Sequence, residues 1–517
     1  MASENQVREE NGSKAKKKLL LNAFDMFTPS HLAFGQWRNP QDRSKDKRRD
    51  LKYWTDLAKI LEKGSFVGYF LADTFGPYDV WVYTSEIEEP VSLTRYRYKG
   101  GPEPAFRTGA QWPMADPVIP ISAMASVTKH LNFAITTSTS YEQPYVVAKR
   151  FSTLDHLTGG RFGWNIVTSW KPAASRAVGL PYIEHDQRYN NADEYLRILY
   201  KILQYQRLWE GSWADDALVE DSVKGIYTDP AKIRTIKHDG KWHVDAPFIV
   251  DPSPQRTPLL FQAGTSAAGV KFGATHAEAI FVAGLSPHVV APRVKAIREQ
   301  AAAAGRDPQS VKIFAMATPI IGKDEEDAER KHREALEYAS EEGGLAQWSA
   351  STGIDVSKFD LDHLLTENDL PYEQWQRLQQ SSSYNLKYKG DDVPPLTVRN
   401  LGKLVAIGGS GAMPKGSPSQ VADILEQWVD IADVDGFNLA YVVSPGSFED
   451  ITELLTPELR RRGLLDEPLA EDAPVLTYRE RVYGKGQKGL RSDHPGYKYR
   501  YETYTETVAS EQEIRTD

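Results

Sequence analysis

The sequence predicts an α/β fold, a (β/α)8 TIM barrel, from three observations. Short apolar segments recur along the 517-residue chain, amphipathic stretches separate them, and polar residues end several of them. Continuous apolar runs are typical of parallel strands that are covered on both faces. Their alternation with helical patterns favours a parallel sheet, and eight such units match a closed barrel. The predicted strands are 19–24, 67–73, 132–138, 161–168, 258–264, 278–284, 312–321 and 436–443.

Helical periodicity occupies the intervals between these strands. Residues 50–64, 191–205 and 417–433 repeat apolar side chains at helical spacing, and Ser417 with Pro418 is typical of a helix start. A doubly wound open sheet is the main alternative to the barrel. No G-x-G-x-x-G follows a predicted strand, which disfavours a dinucleotide-binding sheet.

Three segments interrupt the alternation and are predicted to be insertions in a barrel that spans residues 19–470. The insertions are about 81–116, 210–257 and 341–402. The second contains "HDGKWHVDAPF", which predicts a hairpin, and the third is polar. Insertions after barrel strands commonly build the mouth of the site. Residues 1–18 form a polar leader, and the Tyr- and Arg-rich residues 471–517 form a C-terminal arm over the barrel or a partner subunit.

Composition narrows the function classes. The chain has 62 Lys and Arg against 71 Asp and Glu, a net charge of −9, which disfavours nucleic-acid binding. It has no cysteine, which excludes disulfides and thiolate chemistry, and its 11 His show no zinc-site spacing, so no metal is predicted. We find neither a signal peptide nor the roughly 20 apolar residues of a membrane span. We therefore expect a soluble, cytoplasmic protein.

Polar residues at the strand ends predict a site there, because the active site of a TIM barrel lies at the carboxyl ends of its strands. Asp73, Thr136 and Asn165 occupy three such ends, and His31 follows the first strand. The Asn165 amide offers a donor and an acceptor to a heterocycle, and Tyr78 offers an aromatic face to a planar ligand. No second strand-end carboxylate accompanies Asp73, which disfavours a glycosidase with paired carboxylates.

The turn Gly264–Ser266 is a candidate anion site. Small residues here follow an apolar strand and precede a helix, so backbone N–H groups and the helix dipole favour a phosphate. An ordinary helix cap is the alternative. His185 and Tyr189 are four residues apart and share one face of another helix start, where both offer donors. An ordinary surface pair is the alternative for these two.

The chain resembles the flavin-dependent monooxygenases of the bacterial luciferase-like family. Within this family, the chain is most similar to the branch that contains the nitrilotriacetate, dibenzothiophene-sulfone and long-chain alkane monooxygenases. It extends from about residue 20 to 465. The segments that carry it include "LNAFDMFTPSHLAFGQWR", "GYFLADTFGPYDV", "RFSTLDHLTGGRFGWNIVTS", "EHDQRYNNADEYL" and "PSPQRTPLLFQAGTSAAG".

The resemblance implies an FMN site and assigns residues to it by motif. Gly264, Ser266, His185 and Tyr189 match contacts to the FMN phosphate. Asp73, Thr136 and Asn165 match positions around the isoalloxazine ring and the ribityl chain. The catalytic pocket residues implied by the resemblance are His31, Tyr78 and Gln111.

The resemblance also implies a two-component mechanism. A separate NAD(P)H:flavin reductase supplies FMNH2, which reacts with O2 to give a flavin C4a-(hydro)peroxide. One oxygen atom then enters a small organic substrate of the alkane, sulfone or amine type. The family relationship further implies a homodimer or homotetramer.

The chain departs from the alkane enzymes of this branch at three positions. Trp170 stands where they have a His, another His of their lid region is replaced within "EGGLAQWSAS", and Thr28 stands where they have a Cys. The substrate is therefore left open. Two other functions also remain open: a deazaflavin-dependent oxidoreductase, and a non-catalytic flavin-binding barrel.

Overall fold

The computed structural model describes residues 16–79, 101–200, 208–380 and 394–501. Within these ranges the strands are β1 (Leu20–Met26), β2 (Gly68–Ala72), β3 (Asn132–Ser138), β4 (Phe162–Val167), β5 (Leu218–Asp221), β6 (Ile226–Thr228), β7 (Thr235–His238), β8 (Val244–Pro247), β9 (Leu259–Gln262), β10 (Ala279–Val282), β11 (Lys312–Ala317), β12 (Ile320–Ile321), β13 (Lys415–Gly416) and β14 (Gly436–Leu439).

The α-helices of the same ranges are α1 (Leu51–Lys63), α2 (Glu103–Thr108), α3 (Ile121–Ser126), α4 (Pro144–Leu157), α5 (Pro172–Ala177), α6 (His185–Tyr200), α7 (Leu208–Gly211), α8 (Ala267–His276), α9 (Pro287–Ala303), α10 (Glu325–Tyr338), α11 (Glu341–Thr352), α12 (Tyr372–Gln380), α13 (Val398–Ala406), α14 (Pro418–Ala432), α15 (Gly446–Asp450), α16 (Thr456–Arg461) and α17 (Tyr478–Tyr483). None of them is long and apolar enough to cross a membrane.

Eight parallel strands close into a barrel in the order β1-β14-β11-β10-β9-β4-β3-β2, which confirms the predicted TIM barrel. Each of the eight predicted strands supplies one barrel strand. The segment 312–321 does not continue as one strand: β11 ends at Ala317, and the chain resumes as β12 after Pro319. Proline has no N–H for the strand ladder, so it interrupts the pairing.

Aromatic rings fill the interior of the barrel. Phe24 stacks on Phe70 with ring centroids 5.2 Å apart, Phe70 stacks on Phe281 at 4.5 Å, and Phe281 stacks on Phe261 at 5.3 Å. A larger apolar layer lies between the strands and the surrounding helices. The interior stack forms a solid floor, so a ligand at the carboxyl ends of the strands lies above it.

Helix α17 closes the amino-terminal end of the barrel. The Tyr478 hydroxyl donates to Asn22 Oδ1 at 3.0 Å, and its ring lies 5.4 Å from Phe261. The neighbouring Arg479 forms a fully buried ion pair with Glu278 at 2.7 Å. This part of the predicted arm packs on its own barrel. The boundary at residue 471 stays a prediction, and residues 502–517 lie outside the described ranges.

The insertions contain regular structure. In the second insertion, β7 pairs antiparallel with β8, with His238 opposite Val244, which confirms the predicted hairpin. The described part of the third insertion folds into α11, α12 and α13 around an apolar cluster that includes Leu345 and Leu401. This cluster was not apparent from the polar composition of the segment. Residues 81–100 of the first insertion and 381–393 of the third lie outside the described ranges.

Candidate functional site

A cavity of ≈ 380 Å³ lies at the carboxyl ends of β2 and β3. Three of the predicted site residues, Asp73, Gln111 and Thr136, line it. Apolar and aromatic side chains, among them Phe75 and Trp112, form much of the remaining wall. A concave wall that combines aromatic and apolar side chains with several polar groups suits an organic ligand.

Asp73 directly follows β2 and carries the most perturbed carboxylate of the cavity wall. Burial above all, together with the negative charges of Asp116 and Glu142, raises its pKa to about 7. The Thr74 N–H and the positive charge of Lys171 oppose this rise. Asp73 therefore changes its protonation state near neutral pH.

Asn165 and Thr136 are opposite each other in the β3–β4 register. The Asn165 Nδ2 donates to Thr136 Oγ1 at 2.9 Å. The buried Asn165 Oδ1 accepts no hydrogen bond from the residues that the structure describes. A buried acceptor without a donor costs about 1–3 kcal/mol, so this oxygen is well placed to accept a hydrogen bond from a ligand.

The turn before α8 has the geometry of an anion site. Ser266 caps α8, and its Oγ accepts from Gly269 N at 3.1 Å. A Cβ atom built on Gly264 would lie 2.5 Å from the Tyr189 hydroxyl, and one built on Gly269 would lie 2.7 Å from it. The Tyr189 hydroxyl therefore lies directly on this turn, and neither glycine has room for a side chain.

His185 contacts Tyr189, whose hydroxyl lies on this turn. Its ring centroid is 5.3 Å from that of Tyr189, on the first turns of α6. The structure thus brings Gly264, Ser266, Tyr189 and His185 together, as the sequence predicts. Helix-start N–H groups, a phenol and an imidazole are suitable donors to a phosphate.

His31 is buried beneath the mouth. Its ring packs edge-on against Phe24 with centroids 4.3 Å apart. Burial lowers the pKa of His31 well below its usual value, and the positive charge of Lys47 adds to this effect. Its main-chain oxygen accepts from Gln111 Nε2 at 3.1 Å, so Gln111 joins the cavity wall to the loop after β1. His31 is therefore a neutral imidazole at neutral pH.

Tyr78 is buried and contacts two residues that the sequence analysis did not single out. The Lys171 ammonium lies 4.0 Å from the centroid of its ring. The side chain of Gln347 on α11 faces the Tyr78 hydroxyl, and burial raises the pKa of Tyr78. Lys171 was detectable as a charged residue next to Trp170 at the end of β4, whereas no sequence pattern marks Gln347. Trp170 itself is 47% exposed.

Comparison with known proteins places the chain in a family. The luciferase-like monooxygenase family model matches residues 26–433. Dimethyl-sulfide monooxygenase of Hyphomicrobium sulfonivorans is 42% identical over 489 residues, which cover 94% of each protein. Long-chain alkane monooxygenase of Geobacillus thermodenitrificans is 42% identical over 486 residues, which cover 94% of this chain and 98% of that protein.

A solved structure shares the fold at high similarity. The crystal structure of riboflavin lyase with modified FMN and the substrate riboflavin superposes with a TM-score of 0.77 at 35% identity. The match covers 94% of this chain and all of that chain (100%). The barrel topology and these similarities agree with each other. The chain therefore belongs to the luciferase-like monooxygenase family, and it is a flavin-dependent monooxygenase.

Proposed function

We propose that the chain is the oxygenase component of a two-component monooxygenase that uses FMNH2. One observation carries this proposal: the unpartnered Asn165 oxygen and the anion turn beneath the Tyr189 hydroxyl lie at the same end of one barrel. FMN has a hydrogen-bonding ring at one end and a phosphate at the other. Both groups therefore have a matching partner in this site.

The residues present fit FMN as follows. Ser266, Tyr189 and His185 would hold the phosphate, and the missing side chain of Gly264 lets the Tyr189 hydroxyl approach this turn. Asn165 and Thr136 would bond the ring or the ribityl chain, and Asp73 lies at the cavity wall on the same side. The modified FMN in the related riboflavin lyase structure supports this cofactor.

Reduced FMN, when bound, supplies the electrons that activate O2 at flavin C4a, so the finer proposal is oxygen insertion through a C4a adduct. The chain's own residues provide the surroundings for this chemistry. The stacked phenylalanines exclude water from below the cavity. Tyr78 stays protonated and His31 stays neutral, so both are available for hydrogen bonds rather than as charges.

The source of the reduced flavin and the substrate are also part of this proposal. The chain carries no G-x-G-x-x-G after a strand, so a separate NAD(P)H:flavin reductase supplies FMNH2. The relatives act on an organic sulfide and on alkanes, by their names, which supports a small organic substrate. The exposed Trp170 adds an aromatic surface for it. We also propose that the protein is cytoplasmic and forms a homodimer or a homotetramer.

Isotope labelling tests the function. The protein is supplied with FMN, NADH, a purified flavin reductase and ¹⁸O2, and a panel of alkanes, organic sulfides, sulfones and amines is screened by mass spectrometry. We expect one ¹⁸O atom in one product class, dependent on both the reductase and FMN. A product without label would contradict the proposal. Turnover with a reduced deazaflavin in place of FMNH2, without O2 consumption, would favour hydride transfer instead.

A further inference from the structure

We propose that Lys171 is a positioning residue of this site: it holds the segment 73–78 against the end of β4 and supplies the positive charge that faces Asp73. The inference rests on the proposed function, since that function gives Asp73 and Tyr78 their importance. It adds a residue that neither the sequence motifs nor the FMN-contact pattern includes.

Direct contacts attach the segment to Lys171. The Lys171 Nζ donates to the main-chain oxygen of Gly76 at 3.2 Å. The same ammonium lies 4.0 Å from the ring centroid of Tyr78, within the range of a cation–π interaction. Lys171 thus contacts the segment at two points: the backbone of Gly76 and the ring of Tyr78.

The packing around Gly76 shows how closely the segment lies on the start of α5. A Cβ atom built on Gly76 would lie 2.6 Å from the main-chain nitrogen of Ala174 and 2.8 Å from the Ala173 side chain. Further along the segment, Asp79 forms an ion pair with Arg176 of α5. Lys171 directly precedes α5, so its contacts lie next to those that Gly76 and Asp79 make with this helix.

The charges around Asp73 give Lys171 a second effect. Asp116 and Glu142 face Asp73 with negative charge, and Lys171 faces it with positive charge. Arg150 also lines the cavity, but it donates to Glu142 at 2.6 Å. Lys171 therefore stabilises the ionised form of Asp73 against two neighbouring carboxylates.

Lys171 is itself sensitive to this arrangement. It is 6% exposed, and burial lowers its pKa to about 7, while the Asp73 carboxylate opposes that change. Besides Asp73, its described surroundings are the Gly76 carbonyl, the Tyr78 ring and the Trp170 ring, whose centroid lies 5.6 Å away. Removal of the Lys171 charge is expected to raise the pKa of Asp73, because the attraction that favours the carboxylate is lost.

The test measures the binding of oxidised FMN by fluorescence quenching from pH 5.5 to 8.5. Lys171→Met keeps the length of the side chain and removes its charge, Lys171→Arg keeps the charge, and Asp73→Asn removes the titrating carboxylate. Lys241→Met is the matched control. The Lys241 ammonium also lies over an aromatic ring, 4.7 Å from the centroid of Trp242, but it belongs to the hairpin β7–β8. Circular dichroism verifies the fold of each variant.

We expect the midpoint of the pH profile to rise by at least half a pH unit in Lys171→Met and to stay at the wild-type value in Lys241→Met. Lys171→Arg should return the midpoint close to the wild-type value, and Asp73→Asn should remove the part of the transition that Lys171→Met moves. A Lys171→Met midpoint equal to that of the wild type would overturn the inference. A purely structural role of Lys171 would weaken binding equally at every pH.

A flavin-free measurement covers the case in which a variant binds FMN too weakly. In the apoprotein, the pKa of Lys171 is lower in the folded state than in the unfolded state, so wild-type stability gains a contribution as the pH rises above about 7. The thermal midpoint of the wild type should therefore increase relative to Lys171→Met between pH 7 and 9. A constant difference would overturn the inference. Neither readout uses product formation, so failure of oxygen insertion would count against the proposed function alone.

Discussion

The Ser266 hydroxyl has two tasks in this account: it caps α8 and it contacts the flavin phosphate. We expect Ser266→Ala and His185→Ala each to weaken FMN binding roughly 10-fold or more, because a hydrogen bond to a charged group contributes about 1.5–3 kcal/mol. Ser417→Ala is the matched control, since Ser417 also caps a helix with its Oγ, far along the chain at α14. It should lower stability by about 1 kcal/mol and leave FMN affinity unchanged.

Calorimetric titration of FMN into each variant measures this effect. Unchanged affinity in both Ser266→Ala and His185→Ala would show that the phosphate binds elsewhere. Comparable losses of affinity in Ser417→Ala would mean that the effect comes from helix stability rather than from contact with the phosphate.

Asp73 makes the stability of the apoprotein depend on pH. Its folded-state pKa is raised to about 7, above the value of the unfolded chain, so the folded state holds an extra proton between about pH 4 and 7. Stability from this residue is therefore lost progressively as the pH rises from about 4 to about 7. We expect Asp73→Asn to remove this loss. The free energy of unfolding of the variant, relative to that of the wild type, should therefore be about 1–3 kcal/mol higher at pH 8 than at pH 5. Urea unfolding at both pH values measures the gain, and equal differences at the two would refute the raised pKa.

Among the elements, α17 is attached to the barrel by a buried ion pair whose contribution to stability can be tested. Arg479 and Glu278 form an ion pair in which both side chains are almost completely buried. Arg479→Met leaves the Glu278 carboxylate buried without its partner, which is expected to cost about 3–5 kcal/mol in the free energy of unfolding. The double variant Arg479→Met with Glu278→Gln should recover most of that loss. A single variant as stable as the wild type would show that α17 does not close the barrel as described.

The contact between α11 and α13 depends on two glycines. A Cβ atom on Gly344 would lie 2.0 Å from the main-chain oxygen of Gly402, so Gly344→Ala must separate the two helices. We expect a loss of about 1–3 kcal/mol in the free energy of unfolding. Gly446→Ala is the control, because a Cβ atom there meets only a Val443 side-chain carbon at 3.9 Å. Equal thermal midpoints for the two variants would contradict the close helix contact.

At the scale of the whole molecule, the barrel was predictable because continuous apolar runs mark parallel strands one by one. The turn at Gly264–Ser266 and its helix cap were also predictable, since small residues between a strand and a helix have a direct physical reason, and phosphate binding there stays a prediction. The contacts of Lys171 and Gln347 with Tyr78 were not predictable, because the three residues are far apart in the sequence and only the folded chain brings them together. The role of α17 was missed for the same reason: nothing local in its sequence indicates that Tyr478 reaches Asn22.

The central claim is that this barrel uses reduced FMN to activate O2, and a stopped-flow experiment tests it most directly. The anaerobic protein with chemically reduced FMN is mixed with O2, and the near-ultraviolet absorbance of the flavin C4a adduct is followed. Our account predicts an adduct that outlives its counterpart in free solution and decays faster when the true substrate is present. Flavin oxidation at the rate of free FMNH2, with no adduct, would contradict it.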